Sequence, residues 1–281
     1  MHDLFKAFFF KLKRDLTFRI TLFIGLGLAV ALSVIFFLVD LVISNLGDTG
    51  EFIHMFGTGQ NLLLFSLSPV QNFGLAIPIN LICFIVLEFT HGTIRNKIIA
   101  GNSKAKIYLS LFLSGLVFTL ALIVAYAGLS CALGCAFGKF DPNGTIFAGA
   151  GTGNIDPEYI WRFLLIALLC YISIAAFTTF FAALFRNIGP SIPVVIIVLM
   201  GLYMSAYIFG LLGDFAPEFN HALMYINPLY SLYACTTKVV GETQVLKITD
   251  EAFFAGIGSN LIYTAIFVGF GTLIFAKRDV K

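Results

Sequence analysis

Charge is scarce in this sequence. Only 11% of its 281 residues are Asp, Glu, Lys or Arg, while 59% are hydrophobic; a soluble domain carries roughly 25% charged residues. A polar coat this thin cannot cover a water-soluble globule of that length, so lipid is implied as the solvent. The formal net charge of +2 leaves no basic surface for nucleic acid, and that class of partner is set aside. Cysteine is sparse too. The five cysteines, at 83, 131, 135, 170 and 235, show neither the spacing of a zinc site nor a disulfide framework. Cys131 and Cys135 share a helix face, but with no His or carboxylate beside them they read as small packing residues. His2, His54, His91 and His221 are dispersed, and no nucleophile, base and orienting group come together, so neither enzymatic chemistry nor a bound metal is expected of this chain. The Gly149 to Gly153 run is followed by Asn154-Ile155, not by the Lys and hydroxyl residue that close a phosphate-binding loop.

What the chain has in quantity is long apolar runs, with 32 Phe and 26 Gly distributed through them. A helix needs about 20 apolar residues to cross roughly 30 Å of hydrocarbon, and six runs qualify: 18–44, 62–87, 107–135, 161–185, 190–212 and 253–276. Lipid admits only helices or closed barrels, and these runs are too long for barrel strands. The expected fold is therefore an all-α integral membrane protein, one transmembrane domain over 1–281 with six transmembrane helices. Positive residues are retained on the cytoplasmic side. With the N-terminus inside, thirteen of the 17 Lys and Arg fall on inner segments, and only Lys139, Arg162, Lys238 and Lys247 fall outside. Both termini are thus expected in the cytoplasm.

Within residues 1–17, Leu4, Phe5, Phe8, Phe9, Leu12 and Leu16 fill one arc of a helical wheel, with Lys6, Lys13 and Arg14 elsewhere, which suits an amphipathic helix lying in the membrane interface. Residues 136–160 have turn chemistry throughout and read as an outer loop. The outer stretch 213–252 is moderately apolar but split by Asn227-Pro228, and a seventh crossing would put Lys277, Arg278 and Lys281 outside; a re-entrant pair of short helices satisfies both facts. Pro69, Pro78, Pro190 and Pro193 are placed to kink the second and fifth spans. Asp40, near the outer end of the first span, is a candidate pathway residue or an interfacial one, because an acid within a span is costly.

The most informative stretch closes the second span: Glu88-Phe-Thr-His-Gly-Thr-Ile-Arg-Asn-Lys97, then Gly101-Asn-Ser-Lys104. A carboxylate at the membrane boundary needs a cation, here Arg95, Lys97 or a basic residue of the N-terminal helix. Gly92 and Gly101 bracket a short surface helix, a cationic knob shaped to fit a groove in a soluble partner, or else an ordinary basic connector.

The pattern Glu-x-x-x-Gly-Thr-Ile-Arg-Asn-Lys at Glu88 to Lys97, followed by Ser103-Lys-x-Lys-Ile-Tyr-Leu-Ser, resembles the membrane subunits of ABC-2 type ABC transporters. The interfacial N-terminal helix, six spans, Asn227-Pro228 and the basic close Phe275-Ala-Lys-Arg-Asp279 extend the resemblance along the chain. It implies that 89–103 is a coupling helix, that Glu88, Thr93, Ile94, Arg95, Asn96 and Lys97 dock on an ATP-binding subunit, and that Asn227 and Pro228 belong to the pathway or an interface. It further implies two copies of the ATP-binding subunit, a second permease subunit, identical or related, and ATP with Mg held by the partner and no cofactor in this chain. The function expected is that of a permease subunit of an exporter in the bacterial plasma membrane, expelling a peptide, lipid-like molecule or drug. A secondary transporter or a membrane scaffold independent of any ATPase is the alternative.

Overall fold

A computed structural model describes residues 14–45, 57–69, 73–140, 145–148, 151–156, 158–211, 222–223, 225–232, 235–240 and 243–278. The interfacial helix expected over 1–17 lies, apart from its last four residues, outside these, as does 213–221 of the outer stretch.

The chain is nearly all helical. In order it forms α1 (Leu16–Asn45), α2 (Gly59–Leu67), α3 (Phe73–Thr90), α4 (Thr93–Ile99), α5 (Lys104–Phe137), strands β1 (Thr145–Ala148) and β2 (Gly151–Ile155), α6 (Tyr159–Phe185), α7 (Ile188–Leu211), a 3-10 turn at Tyr230–Leu232, strands β3 (Cys235–Val240) and β4 (Thr243–Ile248), and α8 (Asp250–Lys277). Among the described residues, five helices are long and apolar enough to cross a membrane, and α3 with α4, bent by 53°, makes a sixth if the pair is one span.

The single run expected over 62–87 is broken. Pro69 disfavours helical geometry at the residue before it, and Ser68 is extended at φ −64, ψ 121, so α2 stops after nine residues and the chain restarts as α3. Elsewhere the helix ends follow local chemistry. Ser103 caps α5, its hydroxyl accepting from the Lys106 amide at 3.4 Å. Thr249 caps α8 in the same way, with Asp250 and Glu251 in the first turn facing the positive end of the helix dipole.

The core lies around α6, which packs against α3, α5, α7 and α8. In its most apolar stretch 67% of residues are buried, against 17% in α1 and in α7 and 22% in α8, so those three form the rim and carry the exposed Phe23, Ile197 and Phe270. Such a rim is stable in lipid, where helices associate by close packing and small residues. Gly59 and Gly134 serve that end: a side-chain carbon on Gly134 would sit 2.8 Å from the Gly59 Cα, so α2 and α5 touch backbone to backbone.

The outer stretches differ from expectation. Where 136–160 reads as a loop, β1 and β2 pair antiparallel, and where a second short helix is expected after Asn227-Pro228, β3 and β4 pair antiparallel instead. Parallel pairing of Asn154 and Ile155 of β2 with Val245 and Leu246 of β4 joins the hairpins into one sheet, ordered β1-β2-β4-β3. The β-branched run Thr236-Thr-Lys-Val-Val240 favours a strand.

Candidate functional site

The α3–α4 elbow is built from five consecutive steps of sequence. Apolar residues of α3 carry the chain to Glu88, which is 5% exposed. Gly92 turns the backbone in the left-handed region at φ 66, a conformation that costs glycine nothing. The Thr93 hydroxyl lies 2.7 Å from the Glu88 carbonyl and 2.6 Å from Glu88 Oε2, and Lys97 Nζ donates to the same carboxylate oxygen at 3.0 Å. Thr93 and Lys97 are four residues apart and therefore share a helix face. That face is turned toward Glu88, and the exposed Arg95 and Asn96 look away from it. Among the described cations, Lys97 contacts Glu88; the N-terminal cations up to residue 13 lie outside the described residues. Gly101, at φ 85, ends α4, its amide donating to the Ile98 carbonyl at 2.9 Å.

The elbow has a foundation. Ile94, 1% exposed, sits in a buried cluster with Ile107, Tyr108 and Leu111 of α5, Ala183 of α6 and Phe275 of α8. Phe89 stacks edge-on against Phe275, with ring centres 6.1 Å apart. Packed side chains thus connect α4 to three long helices.

Asp40 does something local. It is 7% exposed, and its Oδ2 accepts from the Gly57 amide at 2.6 Å, fixing the approach to α2. Asn227 and Pro228 belong to a polar knot buried between helices. Asn227, 1% exposed, donates to the Leu202 carbonyl at 2.7 Å and to Ser205 Oγ at 3.0 Å on α7, while its own Oδ1 accepts from the Leu229 amide. The Pro228 carbonyl accepts from Asn260 of α8 at 3.0 Å and from the Cys170 thiol of α6 at 3.1 Å, and Ser173 donates to Asn260 Oδ1 at 2.8 Å. Asn260 lies about 15 Å along α8 from its start, so the knot reaches well inside the bundle. Beside it a cleft opens between α6, α7 and α8, with Ser173, Phe177, Leu199, Pro228, Tyr263 and Phe267 on its walls.

Asn260 and Ser173 escaped the sequence reading, although an Asn within an otherwise apolar run (Ser259-Asn-Leu-Ile-Tyr263) is a visible signal of an interhelical hydrogen bond. Arg162 was counted only as an outer charge. It is 8% exposed, donates to the Ile248 carbonyl at 2.9 Å, pairs with Asp250 at 2.6 Å and with Glu158, and lies over the rings of Trp161 and Phe253. It clamps the sheet to the starts of α6 and α8. Among the described residues, no group of three or more His, Cys, Asp or Glu side chains converges to hold a metal.

No curated protein and no solved structure matches the chain. One family model matches, over residues 34–281, and its description reads "Protein of unknown function (DUF2705)". This corrects the resemblance drawn from Glu88 to Lys97. A ten-residue motif at a basic membrane boundary carried that assignment, and the model that fits nearly the whole chain is not that of the ABC-2 transporters. The chain belongs to the DUF2705 family.

Proposed function

We propose that this protein is the permease subunit of an ATP-driven exporter, forming part of the pathway for an amphipathic or hydrophobic substrate such as a peptide, lipid-like molecule or drug. ATP is hydrolysed on a separate subunit that docks on α4. In this reading the chain lies in a bacterial plasma membrane with both termini cytoplasmic, residues 1–17 lie along the inner interface, and the stretch around Asn227-Pro228 re-enters the bundle from outside. The working assembly holds two ATP-binding subunits and a second membrane subunit, identical or related.

One observation carries the reading: the elbow is pinned by hydrogen bonds and packed against the bundle. Glu88, Thr93 and Lys97 lock α4 at a fixed angle to α3, Arg95 and Asn96 face outward, and Ile94 rests on α5, α6 and α8. Burying a carboxylate is costly unless it is paired, and here the pairing sets the angle of α4. The test is co-expression with products of neighbouring genes, followed by cross-linking from a cysteine at Arg95. Capture of a subunit with a nucleotide-binding loop supports the reading, and capture of none, with transport intact, removes it. A transporter that works without an ATPase is the second reading, favoured by the buried knot of Asn227, Asn260 and Ser173 inside the bundle.

A further inference from the structure

Free cysteine is among the residues most often buried, and Cys131 and Cys135 depart from that habit. Cys135 is exposed and Cys131 half-buried, both as free thiols, so neither is the packing residue that the sequence suggests. They lie in the last two turns of α5, at the end of the bundle opposite the elbow, four residues apart and so on one face, with their thiols close enough to interact. With 34 residues, α5 is about 51 Å long. That exceeds the roughly 30 Å of a hydrocarbon core, which brings the end of the helix toward water.

The start of α2 meets this face. A side-chain carbon on Gly59 would stand 2.6 Å from Cys135 Sγ and 3.0 Å from the Phe140 ring, so Gly59 leaves the thiol the room that any other residue would fill. The Gly59 amide donates to the Lys139 carbonyl at 3.3 Å. Beyond that bond, the first residue of α2 brings the positive end of a helix dipole to the thiols, which favours thiolate.

Spacing decides what the pair can do. Residues four apart on a helix have Cβ atoms about 5–6 Å apart, whereas a disulfide needs about 3.5–4.5 Å, so the pair cannot close on itself while α5 stays helical. One ion between the sulfurs fits, since two metal–thiolate bonds of about 2.3 Å laid end to end span about 4.6 Å. Zinc takes four donors, and among the described residues no third His, Cys, Asp or Glu joins the pair. Two soft sulfurs suit copper(I).

We propose that Cys131 and Cys135 bind one copper(I) ion as a pair of thiolates beside the start of α2. As the ion enters, two S–H bonds give up their protons to water and two copper–sulfur bonds form, with no change of oxidation state. The bound unit carries one negative charge, which the positive end of α2 offsets. This goes beyond the transport reading and needs neither an ATPase nor a particular substrate.

The test titrates the full chain, in nanodiscs under anaerobic reducing conditions, with copper(I) in competition with a copper(I) chelator. The wild type should take up one ion per chain and melt at a higher temperature when loaded. Loss of a mere second-shell partner costs a metal site about 10- to 100-fold, so Cys131→Ser and Cys135→Ser should each weaken binding at least about 100-fold. Serine differs from cysteine by one atom, and an unchanged melting temperature without copper shows that the fold is spared. Cys83→Ser, a change at a free thiol elsewhere in the bundle, should leave binding intact. Copper retained at full affinity by the Cys131→Ser/Cys135→Ser double variant is adventitious and overturns the site, as does an equal loss in Cys83→Ser. Zinc held as tightly as copper(I) would mean a site of four donors, and a disulfide between the two cysteines, found by peptide mapping, would mean that the pair closes on itself; either result removes the proposal. With no partner present, failure here leaves the docking reading to its own test.

Discussion

Replacing Glu88 with Gln tests the elbow with the least change in shape. In the wild type the carboxylate is 5% exposed and meets Thr93 at 2.6 Å and Lys97 at 3.0 Å. The amide of Gln keeps one acceptor oxygen for Thr93 and loses the charge that holds Lys97. Removing one partner of a fully buried pair costs about 3–5 kcal/mol. Lys97 is 28% exposed, so its ammonium can turn to water, and an exposed pair is worth only about 0.2–1 kcal/mol. The expected cost lies between, about 1–2 kcal/mol, enough to raise the open population of α4 roughly 5- to 30-fold. Hydrogen exchange of 93–102 should quicken by that factor while α5 and α6 keep their protection. Thr93→Val should add to the effect in the single variant and not in the Glu88→Gln background to the same extent, since both act on one oxygen. If exchange in 93–102 is unchanged in Glu88→Gln, the carboxylate does not hold the elbow and the reasoning is wrong.

Asn260→Leu should cost about 1–2 kcal/mol, because it strips partners from the Pro228 carbonyl and Ser173, and interhelical bonds in membranes average roughly 0.6 kcal/mol, with more where a buried group is left unpaired; reversible unfolding in bicelles checks it. A carbon on Gly271 would collide with the hydroxyl and ring of Tyr108, whereas on Gly57 it meets only the tip of Asp40 at 2.7 Å, so Gly271→Ala should lower the melting temperature well beyond Gly57→Ala. Arg162→Leu should cost only about 1 kcal/mol, since its partners Asp250 and Glu158 are already 75% and 52% exposed and stay solvated; Trp161 is the chain's one tryptophan, and its fluorescence reports the change directly. A cysteine at Ser103 should resist impermeant thiol reagents in whole cells while one at Asn143 reacts, and the reverse pattern would invert the topology.

The helical membrane character was legible because it rests on composition and run length, which local sequence carries fully. The break at Ser68 was half legible: Pro69 was visible, but reading one span with a kink and reading two helices depends on what α2 can pack against, and Gly59 meeting Gly134 is a contact 75 residues distant in sequence. The outer sheet was hidden for the same reason, since β2 and β4 come from stretches separated by all of α6 and α7. At the elbow, a cation for Glu88 follows from its place at the membrane boundary. The choice of Lys97 required knowing that α4 begins at Thr93, which sets Lys97 on the near face and Arg95 on the far one. The ten-residue motif pointed to a family that the full-length match does not support, a reminder that a basic, capped helix end satisfies general membrane physics before it signals descent.

In the proposed exporter, α4 transmits force from a soluble ATP-hydrolysing partner to α5, α6 and α8. The most direct measurement is ATP hydrolysis by the co-purified complex in nanodiscs, with wild type, Arg95→Ala and Ile94→Ala compared at equal assembly. Arg95 faces outward and Ile94 inward, so Arg95→Ala should weaken partner binding, while Ile94→Ala should leave binding intact and uncouple hydrolysis from transport. Hydrolysis and transport at wild-type rates in both variants, or a purified chain that transports with no ATPase present, would contradict the account.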